Sequence, residues 1–216
     1  IVDEIADEIQ AQIQALEYDQ VDLMDWDQAR DQGLIRTISQ DLEEDYYKKT
    51  LDLAIYDQGI DKDIKLVFTP LNGTGNLPVR RVLRDRGFSK VSVVKEQEEP
   101  DGTFASVGYP NPEDIKAFDL ALRDARDLDA DLVLATDPDC DRVAILVRED
   151  QGTYTPLTGN QTGALMVDYI LSGLKETGRL AQDAAVVKSL VTGDMGTQVA
   201  QSYGVPMYET LTGFIL

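Results

Sequence analysis

The sequence predicts an α/β fold in which a mixed, largely parallel sheet is flanked by helices, and three observations lead to this fold class. First, short apolar runs of strand length alternate with stretches of helical periodicity through the middle of the chain. Second, the runs at 132–135 and 143–147 are continuously apolar and rich in Val, Leu and Ile, which is typical of buried strands. Third, turns rich in Gly, Asn and Pro separate these segments.

Helical periodicity and end signals predict six helices. The first is amphipathic, because the isoleucines at every fourth position from Ile1 to Ile13 share one face. The others are predicted at 42–55, 77–86, 112–128, 158–171 and 194–203. Their expected N-caps include Asp41, Thr192 and Thr158, the last with the spacing of a capping box. Gly59 and Gly87 are the expected ends of the second and third helices.

The remaining segments are assigned to strands and a connector. Strands are predicted at 64–68, 91–94, 131–136, 143–147, 184–190 and 205–208. Residues 18–40 are acidic and irregular, and they are predicted to form a connector with one short strand at 34–38. A new unit is expected to begin near residue 152. The chain starts with Ile1 and ends at 212–216 without a closing helix, which favours part of a longer polypeptide.

The composition excludes several classes of function. The 216 residues carry a net charge of −20, which argues against binding to nucleic acid or to anionic membrane surfaces. No apolar run reaches the length of a membrane span. Cys140 is the only cysteine, which excludes an intrachain disulfide and is consistent with a cytoplasmic location. The absence of histidine excludes Ser-His, Cys-His and histidine-ligated zinc chemistry within this chain.

The most informative segment is residues 137–142, which we call the acidic loop. Asp137, Asp139 and Asp141 follow a predicted buried strand, at the end where open α/β sheets bind ligands. Three carboxylates in five residues repel one another, and a hard divalent cation such as Mg²⁺ would relieve that repulsion. Arg142 is either a plain ion-pair partner or a phosphate ligand beside the metal, and the sequence alone leaves both alternatives open.

A second copy of this aspartate spacing limits the interpretation of the acidic loop. The same spacing recurs at 127–131, where a helix is predicted to run into a strand and the carboxylates are expected to point to water. Spacing alone is therefore weak, and a solvated acidic loop is the alternative at 137–142.

A second turn of interest is 72–75, Asn-Gly-Thr-Gly, which we call the glycine turn. Its amides could hold a phosphate, but a structural turn is favoured because the P-loop Lys is absent.

Two other kinds of site also use an acidic loop: the EF-hand and the nucleophile loop of a phosphatase. An EF-hand is excluded, because Arg142 and Arg148 occupy the positions that require Gly and Glu. A haloacid-dehalogenase-like phosphatase would use Asp137 as nucleophile and Asp139 as acid/base, which the spacing allows. That fold usually has this loop near its N-terminus, and its downstream lysine and acidic pair are not evident here. The phosphatase is therefore the second hypothesis.

Several motifs together resemble one family. The Asp-Pro-Asp-Cys-Asp-Arg sequence at 137–142 is similar to the metal-binding loop of the α-D-phosphohexomutase superfamily, which includes phosphoglucomutase and phosphomannomutase. Agreement in order and spacing extends to further segments, at 70–75, 100–104, 110–113, 158–163, 187–189 and 210–214. The joint pattern is specific, although each piece alone is weak. The resemblance covers roughly residues 40–214.

The resemblance implies roles for particular residues. Asp137, Asp139 and Asp141 would bind Mg²⁺, and Arg142 would contact the phosphoserine or the substrate phosphate. Lys188 would face the reacting group from the third domain of the family fold. The sugar-recognition loop would begin in the segment Thr212, Gly213, Phe214.

The resemblance also implies a reaction and a domain layout. Family enzymes interconvert sugar 1-phosphates and 6-phosphates, or pentose 1- and 5-phosphates, through a phosphoserine and a bisphosphate intermediate. Residues 1–40 would be the tail of a first domain and a connector, 41–151 a complete second domain with the metal loop, and 152–216 part of a third. The catalytic serine and the C-terminal domain of the family are missing, so this chain alone is expected to bind Mg²⁺ weakly at best and to lack mutase activity.

Overall fold

The computed structural model describes residues 3–17, 23–55 and 60–212. Within these ranges the helices are α1 (Asp3–Ala15), α2 (Trp26–Asp31), α3 (Gln40–Asp52), α4 (Asn76–Asp85), α5 (Asp119–Leu128), α6 (Gly159–Glu176) and α7 (Met195–Ser202). The strands are β1 (Leu66–Thr69), β2 (Val91–Val93), β3 (Leu132–Thr136), β4 (Val143–Arg148), β5 (Tyr154–Pro156), β6 (Val186–Ser189) and β7 (Met207–Thr210). Helices and strands alternate as the sequence predicts.

The described strands form two sheets. The first has the order β2-β1-β3-β4-β5, in which β2, β1 and β3 are parallel while β4 and β5 run antiparallel to their neighbours. The second is the parallel pair β6-β7. The predicted α/β class, with a mixed sheet flanked by helices, is confirmed. None of the described helices is both long enough and apolar enough to cross a bilayer.

The core of the first sheet explains why α5 lies against it. The helix presents alanines to β1 and β3, and these small side chains allow close approach to the sheet. Val67 and Val133 contribute the facing apolar side chains from the two strands. Phe118, immediately before α5, is 1% exposed and fills the same cluster. Burial of such a phenylalanine contributes about 1.5–3 kcal/mol relative to leaving it exposed.

The parallel pairing of β1 and β3 determines the position of the acidic loop. Thr69 at the end of β1 is aligned with Ala135 near the end of β3. The glycine turn follows β1 and the acidic loop follows β3, so both emerge from the same edge of the sheet. Backbone hydrogen bonds then join the two segments, from Thr74 N to Pro138 O at 2.8 Å.

A smaller core holds the second sheet. Leu171 of α6, Ala200 of α7 and Val205 before β7 are buried together, with Val186 of β6 packed against them. The capping box predicted at Thr158 is present: its hydroxyl accepts from Gln161 N at 3.2 Å, and Gln161 Oε1 accepts from Thr158 N at 2.8 Å. The helix continues to Glu176, beyond the predicted end at Leu171.

Several predicted helix ends are wrong. The N-cap of α3 is Ser39, not Asp41, and the helix ends at Asp52. Gly59, the predicted end, lies outside the described residues. The cap position of α7 is Asp194 rather than Thr192, and its side chain makes no capping hydrogen bond. Each error is a shift of a few residues at a helix end, where assignments vary most.

Other differences concern whole segments. Residues 34–38 form no strand, and the predicted connector contains the short helix α2. The predicted helix over 112–128 begins as a 3-10 turn at Ile115–Phe118 before α5. Strand β5 was not predicted, and its pairing with β4 extends the first sheet to Pro156. Strand β4 is less buried than its apolar run implies, because Val143 and Val147 are partly exposed.

The apolar face of α1 is not buried by the described part of the chain. Ile5, Ile9 and Ile13 are each about half exposed, although they share one face as predicted. Ile1, the first residue of that predicted face, lies outside the described residues. The amphipathic pattern therefore predicts the helix correctly but does not show what it packs against.

Candidate metal and phosphate site

The acidic loop brings its three aspartates together. One carboxylate oxygen from each of Asp137, Asp139 and Asp141 lies within 4.8 Å of the others. Asp137 is 1% exposed at the end of β3, whereas Asp139 and Asp141 lie at the surface. A buried carboxylate and two exposed ones thus converge on one point at the carboxyl end of a central strand.

Asp137 is held in place by Arg142. Its Oδ1 accepts a hydrogen bond from Arg142 N at 2.9 Å, and its Oδ2 accepts one from Arg142 Nε at 2.6 Å. Its carbonyl oxygen accepts from Cys140 N at 3.0 Å. Cys140 has a φ of 62°, the left-handed conformation that closes this tight turn between β3 and β4. The loop is therefore folded back on its own first aspartate.

These contacts set the charge state of the aspartates. Burial acts to raise the pKa of Asp137, but the hydrogen bonds from the Arg142 backbone and guanidinium outweigh it and leave the pKa lowered. A hydrogen bond shared with Asp137 raises the pKa of Asp141, and the charge of Asp139 adds to this shift. The same ion pair with Asp137 raises the pKa of Arg142, which remains a cation.

The donor set suits a hard divalent cation. Carboxylate oxygens are the ligands that Mg²⁺ prefers, and Mg²⁺ usually takes a few carboxylates with water or phosphate oxygens completing its shell. The raised pKa of Asp141 reports the crowding of negative charge that a cation would relieve. The three aspartates predicted from the sequence therefore have a geometry that fits Mg²⁺.

Arg142 faces a cleft as well as the aspartates. Its Nη1 donates to Asn111 Oδ1 at 3.1 Å, and its side chain is 48% exposed. A cleft of about 490 Å³ lies beside it, and Glu113, Val143 and Thr158 are among the residues that line it. The guanidinium is thus an ion-pair partner and is also accessible to a phosphate group, so the two alternatives left open by the sequence are compatible.

The glycine turn lies directly against the acidic loop. Thr74 donates to Pro138 O through both its backbone N, at 2.8 Å, and its Oγ1, at 3.1 Å. The preceding amides are also used within the protein, from Gly73 N to Pro70 O and from Asn72 N to Gln97 O. Because these donors already have protein acceptors, the arrangement favours the structural interpretation of the turn over a phosphate cradle.

Lys188 lies on β6 of the second sheet. Within the described residues, its ammonium contacts β7 and the loop that follows β6. Its side chain is 7% exposed, and its Nζ donates to Asp194 Oδ1 at 2.6 Å and to Thr192 O at 3.1 Å. Glu209 Oε1 lies 3.1 Å from the same ammonium. The hydrogen bonds to Asp194 and Glu209 raise the pKa of Lys188, so it remains cationic.

The predicted sugar loop is described only at its first residue. Thr212 is exposed at a bend after β7, and Gly213 and Phe214 lie outside the described residues.

The acidic twin, the second aspartate motif at 127–131, is exposed as predicted, but two of its aspartates have partners. Asp129 pairs with Arg148, and Asp131 Oδ2 accepts from Lys65 N at 2.8 Å. Because Asp129 and Asp131 already pair with Arg148 and with the Lys65 amide, we do not interpret this segment as a second metal loop.

Two contributors to the site were missed from the sequence. Asn111 contacts Arg142 across 31 residues, and Thr74 contacts Pro138 across 64 residues. Neither stands out by residue type or spacing. The only sequence signal was that each residue belongs to a segment, 70–75 or 110–113, that is part of the family resemblance.

Comparisons with known proteins agree with this architecture. A family model described as phosphoglucomutase/phosphomannomutase, alpha/beta/alpha domain II, matches residues 44–152. The model for domain III of the same family matches residues 158–216. The first match includes the acidic loop and both segments that contact it, and the second includes Lys188.

Curated relatives and solved structures extend the comparison. Phosphoglucomutase of Staphylococcus epidermidis is 39% identical over 185 residues, which is 85% of this chain and 32% of the relative. The Staphylococcus aureus phosphoglucomutase is 35% identical over 181 residues, 83% of this chain and 32% of the relative. The chain thus spans about a third of the length of these relatives.

Two solved structures show the same fold. A phosphoglucomutase/phosphomannomutase family protein of Burkholderia thailandensis has a TM-score of 0.57 at 17% identity, covering 77% of this chain and 33% of that one. A phosphomannomutase-like protein of Thermus thermophilus has a TM-score of 0.56 at 21% identity, covering 78% and 35%.

Proposed function

Because the chain belongs to the phosphoglucomutase/phosphomannomutase family, we propose that it supplies the metal loop of a sugar-phosphate mutase. Such an enzyme interconverts a sugar 1-phosphate and 6-phosphate, or a pentose 1- and 5-phosphate, through a phosphoserine and a bisphosphate intermediate. The observation that carries this proposal is the convergence of three carboxylates within 4.8 Å beside an accessible arginine. The 39% identity to a phosphoglucomutase makes glucose phosphate the first substrate to test.

The proposed metal ligands are Asp137, Asp139 and Asp141. Bound Mg²⁺ would supply positive charge next to the phosphoryl group that is transferred. The protein's own contribution is to keep the ligands ionised and in place. Arg142 does this for Asp137, since its two hydrogen bonds lower the pKa of that carboxyl against the effect of burial.

The proposed catalytic cations are Arg142 and Lys188. Phosphoryl transfer depends on positioning and on stabilising charge over the phosphate oxygens, which cationic donors provide. The Arg142 side chain is 48% exposed and lines the cleft beside the acidic loop. Lys188 is held as an ammonium by Asp194 and Glu209, and we propose that it faces the reacting group when a sugar phosphate is bound.

The sugar contact is proposed for Thr212, Gly213 and Phe214, on the basis of the sequence motif. We also propose the domain layout that the sequence suggested, with the metal loop in a domain over 41–151 and a second, partial unit over 152–216. Since the chain spans about a third of its curated relatives, we propose activity for a complete mutase that contains it, and none for this chain alone.

The phosphatase alternative is disfavoured by the family match, because the domain II model covers the acidic loop. The phosphatase would use Asp137 as a nucleophile, whereas the mutase would use it only as a metal ligand. Aluminium fluoride or beryllium fluoride tests this directly, because an adduct on Asp137 would support the phosphatase and contradict the mutase.

A chimera tests the proposed function. The aligned region of this chain would replace the matching 32% of the S. epidermidis phosphoglucomutase, with the other parts unchanged. We expect the chimera to isomerise glucose 1-phosphate when a trace of glucose 1,6-bisphosphate is added. Asp139→Asn should reduce kcat at least about tenfold, because it removes a proposed metal ligand. Asp127→Asn, in the exposed acidic twin, is the matched control and should retain activity.

The chimera also gives a clear negative result. A folded chimera that isomerises no hexose or pentose phosphate would overturn the proposed function. Equal activity in the Asp139→Asn and Asp127→Asn chimeras would overturn the assignment of the acidic loop. Folding is checked by comparing the unfolding transition of the chimera with that of the parent phosphoglucomutase.

A further inference from the structure

The glycine turn and the acidic loop pack closely against each other. A Cβ built on Gly73 would lie 2.3 Å from Pro138 Cα and 2.5 Å from Pro138 O. A Cβ on Gly75 would lie 2.5 Å from Thr136 Oγ1 and 2.9 Å from Cys140 Sγ. At Gly73 the close atoms are backbone atoms of Pro138, so no side chain fits there unless the acidic loop moves, whereas at Gly75 they are side-chain atoms of Thr136 and Cys140. Gly73 therefore sets how near the two segments can come.

Hydrogen bonds hold the two segments at this short distance. Both donors of Thr74, its backbone N at 2.8 Å and its Oγ1 at 3.1 Å, converge on the carbonyl oxygen of Pro138. Pro138 lies between Asp137 and Asp139 in the chain, so its position sets the spacing of those two carboxylates. Asp137 is held separately by Arg142, whereas Asp139 lies at the surface beyond Pro138.

The glycine turn is itself anchored, so it can act as a fixed support. Asn72 has a φ of 59°, and its backbone N donates to Gln97 O at 3.0 Å. Its side-chain Nδ2 donates to Glu99 O at 2.8 Å, and its Oδ1 accepts from Ser106 Oγ at 2.7 Å. Asn72 is largely buried, and these bonds tie the turn to the segment after β2. The turn is therefore fixed without help from the acidic loop.

We propose that the glycine turn, through Gly73 and Thr74, positions the carboxylates of the acidic loop for the metal. This inference rests on the proposed function, because positioning matters for binding only if the loop holds a cation. Gly73 permits the contact and Thr74 makes it, and neither is one of the proposed metal ligands. They are positioning residues. Like the outer-shell residues of known metal sites, they would orient the metal ligands without binding the metal themselves.

Mn²⁺ binding to the full 216-residue chain, measured by water-proton relaxation, tests this role. Gly73→Ala should weaken binding about 10-fold or more, since the added Cβ displaces Pro138. Thr74→Val removes one hydrogen bond to Pro138 O and should weaken binding about two- to tenfold. Thr74→Ser keeps the hydroxyl and should bind Mn²⁺ as tightly as the wild type.

A matched glycine variant controls for the general effect of adding a methyl group. Gly102→Ala places a Cβ with nothing within 4 Å, so it should bind Mn²⁺ like the wild type. If Gly73→Ala fails to fold, the Thr74→Val and Thr74→Ser pair still decides the question, because it leaves the backbone uncrowded. Wild-type affinity in a folded Gly73→Ala variant, or in Thr74→Val, would overturn the inference.

A metal-free measurement separates this inference from the proposed function. The Cys140 amide donates to Asp137 O at 3.0 Å, so its hydrogen exchange reports the order of the acidic loop. We expect exchange to be faster in Gly73→Ala and unchanged in Gly102→Ala. A wild-type chain that binds no Mn²⁺ would overturn the acidic loop as a metal site of this chain but not the mutase proposal, which the chimera tests. The Cys140 exchange rates would then show whether the turn nevertheless fixes the loop. Unchanged exchange in Gly73→Ala would contradict that structural role.

Discussion

At the scale of single residues, the ion pair between Asp137 and Arg142 is the contact on which the acidic loop most depends. Asp137 is the one ligand candidate taken out of water, and both of its oxygens are bonded to Arg142. An ionised carboxyl in such a position is costly unless it is paired. The pair therefore serves two purposes: it stabilises the loop and keeps Asp137 charged, ready to bind a cation.

Removal of the guanidinium should destabilise the fold. We expect Arg142→Met to lower the free energy of unfolding by about 1–3 kcal/mol, because one oxygen of the buried Asp137 loses its partner. Arg148→Met is the matched control, since Arg148 pairs with Asp129, whose side chain is 65% exposed. Its loss should cost no more than about 1 kcal/mol. Urea unfolding of both variants measures the difference, and equal losses would contradict this account.

The proposed metal ligands were predictable because the local sequence indicates them. Asp137, Asp139 and Asp141 were found from their position after a strand, and the structure brings their carboxylates together. Thr74 and Asn111 were not found, because their roles arise from contacts across 64 and 31 residues. A single sequence carries no record of which distant loops meet, so the support of the acidic loop could not be predicted.

At the scale of elements, the interior strands could be predicted from the hydrophobic pattern, whereas the ends of helices and the short strand at the edge of the sheet could not. Strands β1 and β3 are short apolar runs, and their burial was evident from composition. Strand β5 is three residues long and includes a proline, so its assignment depends on its pairing with β4. Residues 34–38 have the apolar content of a strand, but no pairing partner for them is found in the described sheets.

The N-terminus of α6 offers a test at this scale. Thr158 and Gln161 form a reciprocal capping box, which satisfies two backbone donors at the start of an 18-residue helix. We expect Thr158→Ala to lower the free energy of unfolding by about 1 kcal/mol and Thr158→Ser to leave it almost unchanged. Urea denaturation measures both variants. A Thr158→Ala variant as stable as the wild type would show that other contacts hold this helix end.

At the scale of the whole molecule, the residues proposed for the site lie on or directly after strands of two sheets. The aspartates and Arg142 lie after β3 of the first sheet, and Lys188 lies on β6 of the second. Each set has its own local support: Arg142 and the glycine turn for the aspartates, and Asp194 with Glu209 for Lys188. The family matches follow the same order along the chain. Each set of proposed site residues is thus held by contacts within its own part of the chain.

The central claim is that the acidic loop binds a divalent cation, and an Mg²⁺ titration followed by amide NMR shifts tests it most directly. The wild-type chain and Asp127→Asn should show saturable shifts at residues 137–142 at millimolar Mg²⁺, because the three carboxylates converge there. Asp139→Asn should lose these shifts. Absence of shifts at 137–142 in the wild type, or their persistence in Asp139→Asn, would contradict the claim.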